Sequence, residues 1–192
     1  HIKIGTKYFY DFNQRIPRTE VNKFSKYFNK IFAKLNLSYE ICGSYRRGKE
    51  TCGDMDILVS SPKLNTDESI QESNIMAIII KALNDDKILV EDGTLTPDAI
   101  KKFMGTCRLP HKDALARRLD IRIIKIDSYP SALMYFTGSK DFNLRLRNKA
   151  IKMEMMLNEY GLFLKNKDRV PISSEEDIFK VLKEEYLVPI KR

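Results

Sequence analysis

The 192-residue sequence has no tryptophan, three cysteines, and no apolar run that approaches a membrane span. Cys42, Cys52 and Cys107 are odd in number and lack Cys-x-x-Cys spacing, so they offer no disulfide framework and read as reduced thiols of an intracellular protein. No signal peptide opens the sequence, and there is no internal repeat or low-complexity tract. Acidic residues are scarce in two stretches. Lys+Arg against Asp+Glu is 11 to 4 over residues 1–50, 3 to 10 over 51–100 and 12 to 4 over 101–150. The formal charge of +8 fits a polyanionic partner, and an acidic quarter between two basic ones fits a metal site flanked by nucleic-acid contacts.

The chain is organised around Gly43-Ser44-Tyr45-Arg46-Arg47-Gly48 and Gly53-Asp54-Met55-Asp56-Ile57-Leu58-Val59. Gly43-Ser44 lets a backbone and a hydroxyl approach a phosphate closely, and Arg46 and Arg47 follow to clamp it. From Asp54 to Val59 the pattern alternates as in a strand. Met55, Ile57 and Val59 face one way, Asp54 and Asp56 the other. Two carboxylates converging on one point repel unless a divalent cation sits between them, and oxygen-only ligands favour Mg²⁺ or Mn²⁺. A phosphate-gripping turn just before such a pair is what nucleotidyl transfer requires.

The flanking elements read as follows. Val21, Phe24, Phe28, Ile31, Phe32 and Leu35 place an apolar face on a helix from about 19 to 35, after a boundary at Pro17. Residues 39–42 read as a strand, 62–67 as a loop and 70–83 as a second helix. Further strands are expected over 87–91, 101–109 and 117–126. In the last, Asp120 lies opposite the aliphatic row and would complete the acidic site, though alone it could be a surface residue paired with its arginines. Helices take over near Tyr129-Pro130. Ser139 is an expected N-cap, Asn143 and Arg147 share a helix face, 162–171 reads as a hairpin, and Ser173 with Glu176 as a capping box.

These motifs resemble the nucleotidyltransferase superfamily, and in fuller form the family X DNA polymerases of the polymerase beta type, over nearly the whole chain. The resemblance implies an α+β fold: a palm with a mixed or antiparallel sheet and helices on one face, then a small, mostly helical thumb with a short hairpin. Residues 1–18 would end a fingers segment or linker, 19–128 form the palm and 129–192 the thumb. The implied activity is DNA-directed synthesis that fills short gaps in repair or end joining, using two ions of Mg²⁺ or Mn²⁺. A template-independent terminal transferase is the alternative, and a non-catalytic DNA-binding module a third reading.

Carried across, Asp54 and Asp56 would bridge both metals and Asp120 ligate one. Gly43, Ser44, Arg47, the Gly53 backbone and Arg15 would hold phosphates. Tyr135, Phe136 and Gly138 would lie against the sugar, Asn143 at the base or sugar edge. Arg147 and Arg118 would reach DNA, Arg118 also orienting Asp120 and depressing its pKa. Arg122 and the helix-ending Glu159-Tyr160 would join the open-to-closed motion. Lys140 and Leu144 depart from the family pattern. The short Leu109 to Arg117 connection and the absent tryptophan favour templated synthesis. Implied partners are gapped or nicked primer-template DNA and a deoxynucleoside triphosphate, with DNA ligase or end-joining factors reached through other regions, for a nuclear, monomeric protein. Lyase and helix-hairpin-helix domains would lie upstream, leaving this palm and thumb with poor DNA affinity and no deoxyribose-phosphate lyase activity.

Overall fold

The computed structural model describes residues 6–90 and 100–192. Its centre is a four-stranded mixed sheet of β2 (Ser38–Ile41), β4 (Met55–Ser60), β6 (Arg117–Ile123) and β5 (Lys102–Cys107), in the order β2-β4-β6-β5. β4 runs antiparallel to β2 and parallel to β6, and β5 is antiparallel to β6. A two-stranded ribbon joins β1 (Ile16–Pro17) to β3 (Thr51–Cys52).

The Arg18–Lys34 helix covers one sheet face because Val21, Phe24, Phe28, Ile31 and Phe32 recur at three and four residue spacing, and all five are buried. Pro17 stands at its N-cap, Glu20 and Lys34 complement the dipole at its two ends, and Asn36 at φ 53° turns the chain out of it. Its side chains pack on Met55, Ile57 and Val59, the row that the strand pattern turns inward. Leu58, on the other face, packs with Cys42, Ile124 and Ala132, so the Tyr129–Thr137 helix lies against the side of β4 that carries Asp56.

A second core holds the thumb. Phe142, Leu146 and Ala150 of the Lys140–Lys152 helix pack on Leu157, Leu162 and, from the Glu175–Val181 helix, Ile178 and Phe179. Ser139 caps the former helix as expected, accepting from the Phe142 amide.

Several elements differ from the sequence reading. The helix expected over 70–83 is two, Asp67–Ser73 and Ile75–Asp85, parted at Asn74 in the left-handed region at φ 49°. Thr66 and Ser69 make a capping box in what read as loop. Over 87–91 only a Leu89 to Cys107 bridge forms, and residue 91 lies outside the described residues. The hairpin expected over 162–171 forms through the Phe163 to Arg169 bridge, and a second one precedes it, of β7 (Met155–Asn158) and β8 (Gly161–Leu164), whose tip lies between those two strands. Glu159 and Tyr160 therefore sit at that tip, seven and eight residues past a helix that ends at Lys152. The last capping box is Ser174 with Asp177, one residue on from the expected pair.

Candidate active site

Each functional side chain is placed by a short element with a local cause. Gly43 has φ +58°, which opens the turn into the brief Gly43–Arg46 helix, and a β-carbon there would stand 3.1 Å from Asp56 Oδ2. The turn and the carboxylate strand are thus in contact at Gly43. A β-carbon on Gly53 would lie 3.9 Å from both Arg15 Nη1 and Arg118 Nη2, so the Gly53 backbone runs between two guanidinium groups. Arg15 is braced there by Thr51, which accepts at Oγ1 (2.6 Å) and at its carbonyl (3.0 Å).

Asp54 precedes β4, and Asp56 lies opposite Asp120 in the parallel β4–β6 register. Burial, then the charges of Asp54 and Asp120, push the Asp56 carboxyl up to about 6 against the pull of Arg122 and Arg118. Burial and Asp54 likewise raise Asp120. Arg118 does pull Asp120 down, as expected, but not enough to reverse the upward shift. It donates to Asp54 Oδ2 at 2.9 Å, and its charge is too small a pull at Asp120 to offset burial.

Among the described residues no three acidic, histidine or cysteine side chains stand close enough to share an ion. The donor set nevertheless suits a hard divalent cation: oxygen ligands only, with negative charge on half-buried Asp56 and Asp120 that surrounding arginines leave uncompensated. Asp54, Asp56 and Asp120 are the residues that would hold it.

The thumb supplies the opposite wall. Tyr135 and Phe136 pack edge to face at 5.0 Å, Arg122 stacks on Phe136 and Arg147 on Tyr135, each at 4.8 Å. Asn143 Nδ2 donates one hydrogen to the Tyr135 carbonyl at 2.7 Å, which orients the amide and leaves its second N–H and its Oδ1 for a ligand. Arg147 also pairs with Glu159 at 3.7 Å, joining helix face and hairpin tip. Arg122, Phe136, Glu159 and Tyr160 line one cavity of about 220 Å³.

Of the two arginines expected to clamp a phosphate, Arg46 is committed elsewhere. Arg46 forms a bidentate ion pair with Glu175, while Arg47 gives one donor, Nη1, to the Thr137 carbonyl at 2.6 Å. Glu175, Thr137 and Arg192 are the partners that sequence reasoning missed. A glutamate in the first turn after a serine cap looks like an ordinary dipole-complementing residue, and nothing local marks it as buried.

The family model of the DNA polymerase beta palm matches residues 15–126, and that of the DNA polymerase beta thumb matches residues 132–192. The chain belongs to DNA polymerase family X. It is 32% identical to DNA polymerase lambda of Rattus norvegicus over 98% of the chain and 35% of that protein. It is also 28% identical to the DNA nucleotidylexotransferase of Xenopus laevis, over 99% of the chain and 43% of that protein. The chain thus spans well under half the length of these relatives. Its fold matches Leishmania infantum polymerase beta in a ternary gap complex with TM-score 0.88 and 32% identity, covering 99% of this chain and 74% of that one. Family X polymerases are metal-dependent DNA nucleotidyltransferases, the property that the acidic cluster on β4 and β6 suits.

Proposed function

We propose that this chain is the palm and thumb of a gap-filling DNA polymerase that adds a deoxynucleotide to a primer 3′-hydroxyl with release of pyrophosphate. The observation that carries the reading is the contact between Gly43 of the phosphate turn and Asp56, with Asp120 in register across β4 and β6. It puts the turn that would grip a triphosphate beside the carboxylates that would hold charge-neutralising cations. Two Mg²⁺ or Mn²⁺ ions held by Asp54, Asp56 and Asp120 would supply Lewis acidity and lower the pKa of the attacking hydroxyl. Ser44, Arg15 and the Gly53 backbone hold the phosphates, and Tyr135 and Phe136 wall the sugar. A repair role, in base excision or end joining, and a nuclear location are part of the same proposal.

The likeness to a nucleotidylexotransferase keeps template-independent addition as a second reading. The short 110–116 connection favours the templated one. Extension of a primer on one-nucleotide gapped DNA, offering each deoxynucleotide separately, separates them. Insertion of the complementary nucleotide alone is expected, at least about 100-fold over the others, since one mispaired edge leaves polar groups unsatisfied. Addition regardless of template would establish the second reading instead.

A further inference from the structure

A buried ion cluster lies between the palm's phosphate turn and the thumb. Arg46 Nη1 donates to Glu175 Oε1 at 3.0 Å and to Thr137 Oγ1 at 2.8 Å, and its Nη2 donates to Glu175 Oε2 at 2.8 Å. Arg192 donates to the same carboxylate at 2.5 Å from a fully buried side chain, which lies 5.4–5.5 Å from the rings of Phe142, Phe179 and Tyr186. The Arg46 and Glu175 side chains are 17% and 7% exposed. A guanidinium fork held this way cannot swing toward a phosphate without abandoning hydrogen bonds in a largely dry site.

The cluster reaches both walls of the active site. Arg46 and Arg47 follow Ser44 in the turn, and they grip Thr137 by its hydroxyl and its carbonyl. Thr137 ends the helix that carries Tyr135 and Phe136. Any movement of the turn relative to the Tyr135-Phe136 wall therefore strains these bonds. Two arginines sharing one carboxylate also leave net positive charge beside the turn, and Arg47 Nε and Arg192 Nη2 are buried without a hydrogen-bond partner among the described residues.

We propose that Arg46, Glu175 and Arg192 form a latch between thumb and palm that fixes the phosphate turn against the Tyr135-Phe136 wall, so that Arg46 is a positioning residue for the triphosphate, without touching it. The proposal rests on the polymerase reading above. Glu175 holds the fork, Arg192 neutralises and seats Glu175, and the turn keeps its place because Arg46 and Arg47 are both committed to Thr137.

The test measures KM for the complementary deoxynucleotide, kcat and melting temperature on gapped DNA for the parent, Glu175→Gln, Arg46→Lys and the double variant. Glu20→Gln is the control. Glu20 pairs with Arg117 at 2.7 Å, a buried arginine whose partners, Glu20 and the Gln14 carbonyl, come from outside the thumb. Glu175→Gln is expected to raise KM about tenfold, within the range usual for coupled sites, and to change kcat less than about threefold. Arg46→Lys keeps the charge, loses the fork and should do the same, and the double variant should be no worse than either single one. Glu20→Gln should lower the melting temperature without moving KM. An unchanged KM in Arg46→Lys, or an equal rise in Glu20→Gln, overturns the latch while the polymerase reading stands. A parent that extends no primer overturns both.

Discussion

Replacing Asp56 by Asn is expected to abolish primer extension and to make the metal-free protein more stable at neutral pH. The loss of activity should be at least about 10³-fold, because a cation held by the acidic cluster is worth several kcal/mol of transition-state stabilisation. The gain in stability has the opposite origin. The folded state holds the Asp56 carboxyl up at about 6, through burial first and the neighbouring Asp54 and Asp120 next. A carboxyl raised above its unfolded value binds more protons when folded, so the parent loses stability as pH rises from about 4 through 6. Asparagine carries no such cost. Thermal unfolding without metal should therefore show the variant ahead above pH 6, by on the order of 1 kcal/mol after allowing for solvent screening, and the gap should close near pH 4. A variant less stable than the parent at pH 7.5 would contradict this account of the charge.

Gly43→Ala should cut primer extension by about 100-fold, the cost expected of a misplaced reacting group, while leaving the fold intact. Two costs arise at once. Alanine at φ +58° is strained by on the order of 1 kcal/mol, and its β-carbon would meet Asp56 Oδ2 at 3.1 Å. The carboxylate must give way, and with it the acidic cluster. Gly48→Ala separates the two effects. It carries the same kind of backbone strain at φ +76°, but its β-carbon would meet the Ile190 side chain, at 3.2 Å from Cδ1, and that flexible end can move. It should lose similar stability and keep its activity. Equal activity in the two variants, measured on the gapped substrate, would show that contact with Asp56 is unimportant.

The acidic half of this site was legible because strand alternation determines direction. Once Met55, Ile57 and Val59 point inward, Asp56 points out, and the same logic on β6 brings Asp120 opposite it. Arginines were the blind spot. Arg46 beside a phosphate turn and Arg118 beside an aspartate look the same in sequence whether they serve ligand or protein, and their long side chains reach partners 129 and 64 residues away. Boundaries failed where two registers were available. Ser173-Ser174-Glu175-Glu176-Asp177 offers two capping boxes, and the structure takes the later one, which turns Glu175 inward to Arg46. Asn74 splits an otherwise continuous apolar pattern because asparagine tolerates the left-handed region.

The central claim is that Asp54, Asp56 and Asp120 together hold the catalytic ions. Titration of Mn²⁺ into the protein with gapped DNA and a non-hydrolysable deoxynucleoside triphosphate, followed by electron paramagnetic resonance, tests it directly. Two bound ions are expected for the parent, and Asp120→Asn should lose one while retaining the nucleotide-associated ion. The same two ions in Asp120→Asn and in Asp56→Asn would place the metal elsewhere and contradict the account.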